Sequence, residues 1–150
     1  MLGELDAIDW EPYREAGLKS PDFPTLIRML CDDNWLKRKN AADHLDSQME
    51  YSFMHAKNDL PFVLIPFLWE LLQADEVSDK ALILGLLRGL LDYHTIEPLA
   101  EQDYRVALRY RDAVCAGAEI YQSMLATADE ALRDEIAELF TACEDNVVDA

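Results

Sequence analysis

The sequence predicts an all-α domain of about seven stacked helices, and the prediction rests on a repeated segment and a missing pattern. Residues 34–45 and 129–140 share a template: each opens on a cap-type residue, carries an arginine at the fifth position (Arg38, Arg133) and places a small or apolar pair three residues later. A helix that recurs with the same buried stripe belongs to an array whose units close a core only against their neighbours. No period-two apolar run with turn chemistry is present, so no sheet is expected.

The first helix is expected over 8–15, with Pro12 in its first turn and Gly17 as its stop. Ser20-Pro21-Asp22-Phe23-Pro24 caps the next, which carries the stripe Leu26, Ile27, Met29 and Leu30 until Asp32-Asp33-Asn34 breaks it. Over 35–49 the spacing buries Trp35, Ala41, Ala42, Leu45 and Met49 and exposes Lys37, Lys39, Asn40 and Asp43. Residues 50–59 have no clean period and form an expected irregular connection with aromatic anchors. An apolar helix follows over 61–72, which Pro66 should start or kink.

The helix over 81–93 sets Leu82, Leu86, Leu90 and Tyr93 on one face, with Gly85 and Gly89 placed to allow close helix approach. A second connection is expected over 94–103, then helices over 104–116 and 120–125 separated by Gly117. Thr127-Ala128-Asp129-Glu130 fits a capping box, with Thr127 as the cap of the last helix, which ends near Cys143. Residues 1–22 are expected as an N-terminal cap of one domain, 23–143 as its repeat core and 144–150 as a fraying tail.

Thirty acidic side chains against 13 basic ones leave a net charge of −17. That disfavours nucleic acid and anionic membrane as partners and favours a basic protein, although acidity also serves solubility. No apolar run approaches the roughly 20 residues that cross a bilayer. Residues 1–6 show neither a basic nor an apolar signal region, and Cys31, Cys115 and Cys143 form no CxxC pair. A reduced, cytoplasmic setting is therefore expected, with the cysteines as small buried hydrophobes.

Residues 113–126 running into 129–133, the Trp-x-x-Arg-x-x-Ala-Ala helix within 23–45, and 49–72 with Ile65-Pro66-Phe67-Leu68-x-x-Leu71-Leu72 resemble the HEAT or armadillo-like repeats of bacterial proteins. The resemblance spans roughly 23–143 and implies a short right-handed α-solenoid. It also implies an interaction protein, since small acidic members of this class occur as immunity proteins of bacterial toxin systems. The central segment is more apolar, and the connections after Met49 and Tyr93 are longer, than a regular array has.

Catalytic groupings are sparse. His44, His55 and His94 are the only histidines, and neither Asp43-His44-x-Asp46 nor Asp92-x-His94-x-x-Glu97 offers the convergent ligands zinc requires. A small enzyme built on Asp92, His94 and Glu97 is a minority reading, and no cofactor or metal is expected. The triplet Lys37-Arg38-Lys39 lacks the aromatic interleaving of a nucleic-acid site.

Eight carboxylates lie between Asp129 and the C-terminus, opposed within that stretch by Arg133 alone. If the second helix of each pair lines one face, Asp43, Asp46, Asp92, Asp134 and Glu138 share it. Tyr51 and Tyr93 would then anchor a partner at its edge. The expected function is binding and neutralising a basic toxin, with an adaptor of apolar recognition as the alternative.

Overall fold

In the computed structural model, which describes residues 2–13, 22–56, 59–95 and 99–144, the chain is all-helical, with no strand among those residues. The helices are α1 (Phe23–Met29), α2 (Trp35–Tyr51), α3 (Leu60–Gln73), α4 (Lys80–Gly89), α5 (Glu101–Cys115), α6 (Ala118–Met124) and α7 (Glu130–Glu144). A π-helical turn, Ser52–Ala56, extends α2, and a 3-10 turn, Leu90–Thr95, extends α4.

The repeated template now has a physical meaning. Asn34 Oδ1 accepts from the amides of Leu36 and Lys37 at 2.9 and 3.3 Å, and Asp129 Oδ1 accepts from the Leu132 amide at 2.8 Å, so both are N-caps. Four residues later the arginine turns back. Arg38 donates to the Asp32 and Asp33 carbonyls at 2.8 and 3.1 Å, and Arg133 donates to the Ala128 and Leu125 carbonyls at 3.1 and 2.9 Å. Each arginine fastens the connection that leads into its own helix. Asp129 therefore replaces Thr127 as the cap, because Thr127 lies in the preceding turn with its amide bonded to the Met124 carbonyl.

Helix α1 packs on α2 and α3 on α4, while α4 meets α2 and also α7; α5 and α6 pack on α3 and on α7. Ala41 and Ala42 on α2, Ile83, Leu84 and Leu87 on α4, and Ile136 and Leu139 on α7 are buried among these contacts. The apolar α3 buries Leu60, Pro61, Leu64, Ile65, Phe67, Leu68, Leu71 and Leu72, as a helix covered on several sides must, and it runs through Pro66.

Before α1, Leu2, Leu5 and Trp10 join the same core. Trp10 stacks near Phe23 and Phe67, with ring centroids 5.3 and 6.1 Å away, and donates its Nε1 hydrogen to the Leu5 carbonyl at 2.9 Å. Leu2 adopts φ 61, and its amide donates to Glu70 Oε1 at 2.6 Å.

Several expectations are corrected. The helix expected over 8–15 is instead two 3-10 turns, Leu5–Ala7 and Glu11–Tyr13, with 14–21 outside the described residues. Trp35 is 62% exposed, not buried, because it is the first residue of α2 and the buried stripe begins only at Ala41. Residues 50–56 of the connection expected over 50–59 are helical: α2 continues to Tyr51 and passes into the π turn, whose Phe53 is fully buried.

The cysteine reading also fails. Cys115 and Cys143 form a disulfide with 5.7 Å between their Cα atoms, and Cys31 is free and half-buried. Gly85 lies open, with no atom within 4 Å of where a Cβ would stand, so it makes no close helix approach. Gly117 does make one: a Cβ there would come within 2.6 Å of Trp69 Nε1 and 2.8 Å of the Tyr121 hydroxyl.

Candidate functional site: an acidic face on three adjoining helices

Two open grooves flank α4. One, of about 490 Å³, is lined by Ala42, Asp43 and Asp46 of α2, by Ala81, Gly85 and Gly89 of α4 and by Glu135 of α7. The other, of about 430 Å³, lies between α4 and α7 and is lined by Asp92, Ala137, Glu138, Thr141 and Ala142. Arg88 belongs to both.

The helical spacing explains the lining. Asp43 and Asp46 are three apart on α2, as are Glu135 and Glu138 on α7, so each pair shares a face. Ala42, Ala81 and Gly85 leave room in the first groove, which Leu82 and Leu86 also line. Arg88, at the end of α4, bridges to Glu138 and stands 3.7 Å from Glu135. Lys39 reaches Asp43 at 3.5 Å across one helical turn. All three are exposed ion pairs, which contribute little to stability.

Asp46 is electrostatically distinct. A Cβ on Gly89 would lie 3.4 Å from its Oδ1, so the carboxylate rests against the α4 backbone. Loss of water contact pushes its pKa above the usual carboxylate value, and neighbouring Glu50 and Asp43 push it further the same way.

The structure thus brings Asp43, Asp46, Asp92 and Glu138 to the two grooves, and Asp134 lines neither. Sequence reasoning missed Glu135 and Arg88. The signal for Glu135 was its three-residue spacing from Glu138; the signal for Arg88 was a lone cation closing an apolar helix. Tyr51 is half-buried at the end of α2, its ring 5.0 Å from that of His55.

Tyr93 is corrected: it is not an edge anchor but part of the core, 8% exposed, with its ring 5.0 Å from Phe53 and 6.0 Å from Tyr110. Burial, with Asp46 and Glu50 nearby, raises its phenol pKa strongly. Tyr93 lies in the 3-10 turn that follows α4.

Of the Asp92, His94 and Glu97 trio, Glu97 lies outside the described residues. His94 is half-buried, and its Nδ1 has no hydrogen-bond partner among the described residues. No group of three or more His, Cys, Asp or Glu is disposed to hold a metal among those residues. No helix among them is long and apolar enough to cross a membrane. No family model matches the chain, and neither a curated protein nor a solved structure does.

Proposed function

We propose that this chain is a non-enzymatic protein-binding module whose two grooves beside α4 receive a basic partner. The observation that carries the reading is that Asp43 and Asp46 of α2, Asp92 of the 3-10 turn after α4, and Glu135 and Glu138 of α7 line two grooves that share Arg88. Lysine and arginine side chains of a partner suit these grooves: their aliphatic stems would lie on Ala42, Ala81 and Gly85 while their heads meet the carboxylates.

In this proposal α2, α4 and α7 are the inner helices of a short right-handed α-solenoid of HEAT or armadillo-like type. The partner is a bacterial toxin of basic surface, such as a nuclease, and the chain acts as its immunity protein in the cytoplasm by covering the substrate groove with carboxylates. The net charge of −17 would steer the encounter and lift the association rate above the roughly 10⁵–10⁶ M⁻¹s⁻¹ of a neutral pair.

The test is affinity capture from the native host with the wild-type chain and with Asp43→Lys/Asp46→Lys/Glu135→Lys. The wild type is expected to retain a basic protein that the triple variant loses. Equal recovery by both chains would contradict the acidic face. A second reading, an adaptor with apolar recognition, is favoured by Trp35 and Leu36, which are 62% and 52% exposed at the start of α2. Loss of the captured protein with Trp35→Ser/Leu36→Ser, and its retention by the triple variant, would select that reading.

A further inference from the structure

Helix α7 carries Glu135 and Glu138, and its half-buried Leu132, Phe140, Ala142 and Cys143 pack against the core. Its only fully buried residues are Ile136 and Leu139. Its first turn is fixed by the Asp129 cap and the Arg133 bonds to the preceding connection. Its last turn is fixed differently, by the Cys115–Cys143 disulfide to the end of α5 and by Arg111, which donates to the Ala142 and Cys143 carbonyls at 3.1 and 2.8 Å. Between these ends lie Ala137, Glu138, Thr141 and Ala142, the α7 side of the groove that holds Asp92.

We propose that Cys115–Cys143 is a reversible redox latch on the C-terminal half of α7, so that reduction by a dithiol protein releases residues 137–144 and opens the wall of that groove. Both cysteines are half-buried, which leaves the bridge within reach of an attacking thiolate. The reductant's thiolate attacks one sulfur, the Cys115–Cys143 bond breaks as a mixed disulfide forms, and the reductant's second thiolate resolves it. Two electrons and two protons pass to the chain, leaving two cysteine thiols and an oxidised reductant.

The two thiols re-form the bridge when they pass two electrons and two protons to an oxidised dithiol protein, whose disulfide is reduced in exchange, and Arg111 can then bond the Ala142 and Cys143 carbonyls again. Cys31 stands outside the exchange: burial, with Glu76 beside it, raises its thiol pKa and lowers its thiolate fraction.

The experiment compares the oxidised full chain, in a Cys31→Ser background, with the same chain reduced by thioredoxin and with Cys115→Ser/Cys143→Ser, using amide hydrogen exchange. The latch predicts exchange at least about tenfold faster over 137–144 in the reduced chain and the double variant, with 130–134 and α1 to α4 unchanged, and recovery on reoxidation. A bridge that thioredoxin leaves intact, unchanged exchange over 137–144 after reduction, or acceleration across every helix together would overturn it. The last outcome would mark the bridge as a staple of the whole fold.

A second arm rests on the binding reading and measures decalysine affinity in both redox states. Several-fold weaker binding on reduction extends the latch to the groove. If decalysine binds neither state while exchange over 137–144 still responds, the acidic-face reading falls and the latch stands.

Discussion

Gly117 shows how a single residue can be placed correctly for the wrong reason. Its position suggests a helix stop, but its backbone, at φ −82, is open to any residue. What requires glycine is the Trp69 indole, whose Nε1 donates to the Tyr121 hydroxyl at 3.0 Å while that hydroxyl donates to the Val114 carbonyl at 2.7 Å. Burial pushes the Tyr121 phenol up to about 12, with the Trp69 bond pulling partly the other way. Gly117→Ala is expected to displace this pair and cost about 1–3 kcal/mol in denaturant unfolding; an unchanged midpoint would show that the indole moves freely. Asp46 gives a second prediction. Its folded pKa is raised, so the folded chain holds that proton more tightly than the unfolded chain does. The resulting stabilisation is present below the unfolded value near 3.8 and is lost as pH rises through the folded value. Asp46→Asn should therefore raise the melting temperature at neutral pH, and the gain should vanish below about pH 3.8. A gain that persists in acid would assign the effect to something other than charge.

Some elements of this fold are decided by local sequence and others by distant packing. A helix bounded by a strong local signal begins where its cap stands, as α1 does behind Asp22, because a side chain accepting from the first-turn amides is decided within three residues. Segments whose structure depends on distant packing were misread. The aromatic stretch after Met49 has no helical period, yet it stays helical because Phe53 docks between Tyr93 and Tyr110, which come from other elements. The cysteine pair was equally hidden, since a separation of 28 residues says nothing about which helix ends meet. The recurring arginine was seen but not understood. Arg38 also stands 3.2 Å from Asp79, which caps α4, so it ties α2 to α4 as well as to its own connection. Arg38→Met should cost about 1–3 kcal/mol, more than Lys37→Met, which removes an exposed charge. Equal costs would reduce the arginine of the template to a helix former. Because the latch holds only the C-terminal half of α7, removing the bridge with Cys115→Ser/Cys143→Ser should cost well under the loop-closure value of about 3–4 kcal/mol for 28 residues, as measured by chemical denaturation, and a loss of that full size would make the bridge a staple of the whole fold.

At the scale of the whole molecule, the −17 charge is not spread evenly in its consequences. Around α4, on which α2 and α7 both pack, Asp43, Asp46, Asp92, Glu135 and Glu138 line two grooves, with Arg88 set between Glu135 and Glu138. The sequence showed four of the five carboxylates, since charge and helical spacing are local. It could not show that Asp134 lines neither groove, or that Tyr93 is taken by the core, since both depend on how the helices pack on one another. The most direct test of the account is the salt dependence of affinity for the basic partner the chain captures. It should be measured for the wild type, for Asp43→Lys/Asp46→Lys/Glu135→Lys, and for the same number of reversals at the exposed Glu101, Glu119 and Glu130. The account predicts steep weakening of wild-type binding with salt, near-complete loss in the groove variant and modest loss in the control. Equal losses in the two variants, or binding indifferent to salt, would contradict it.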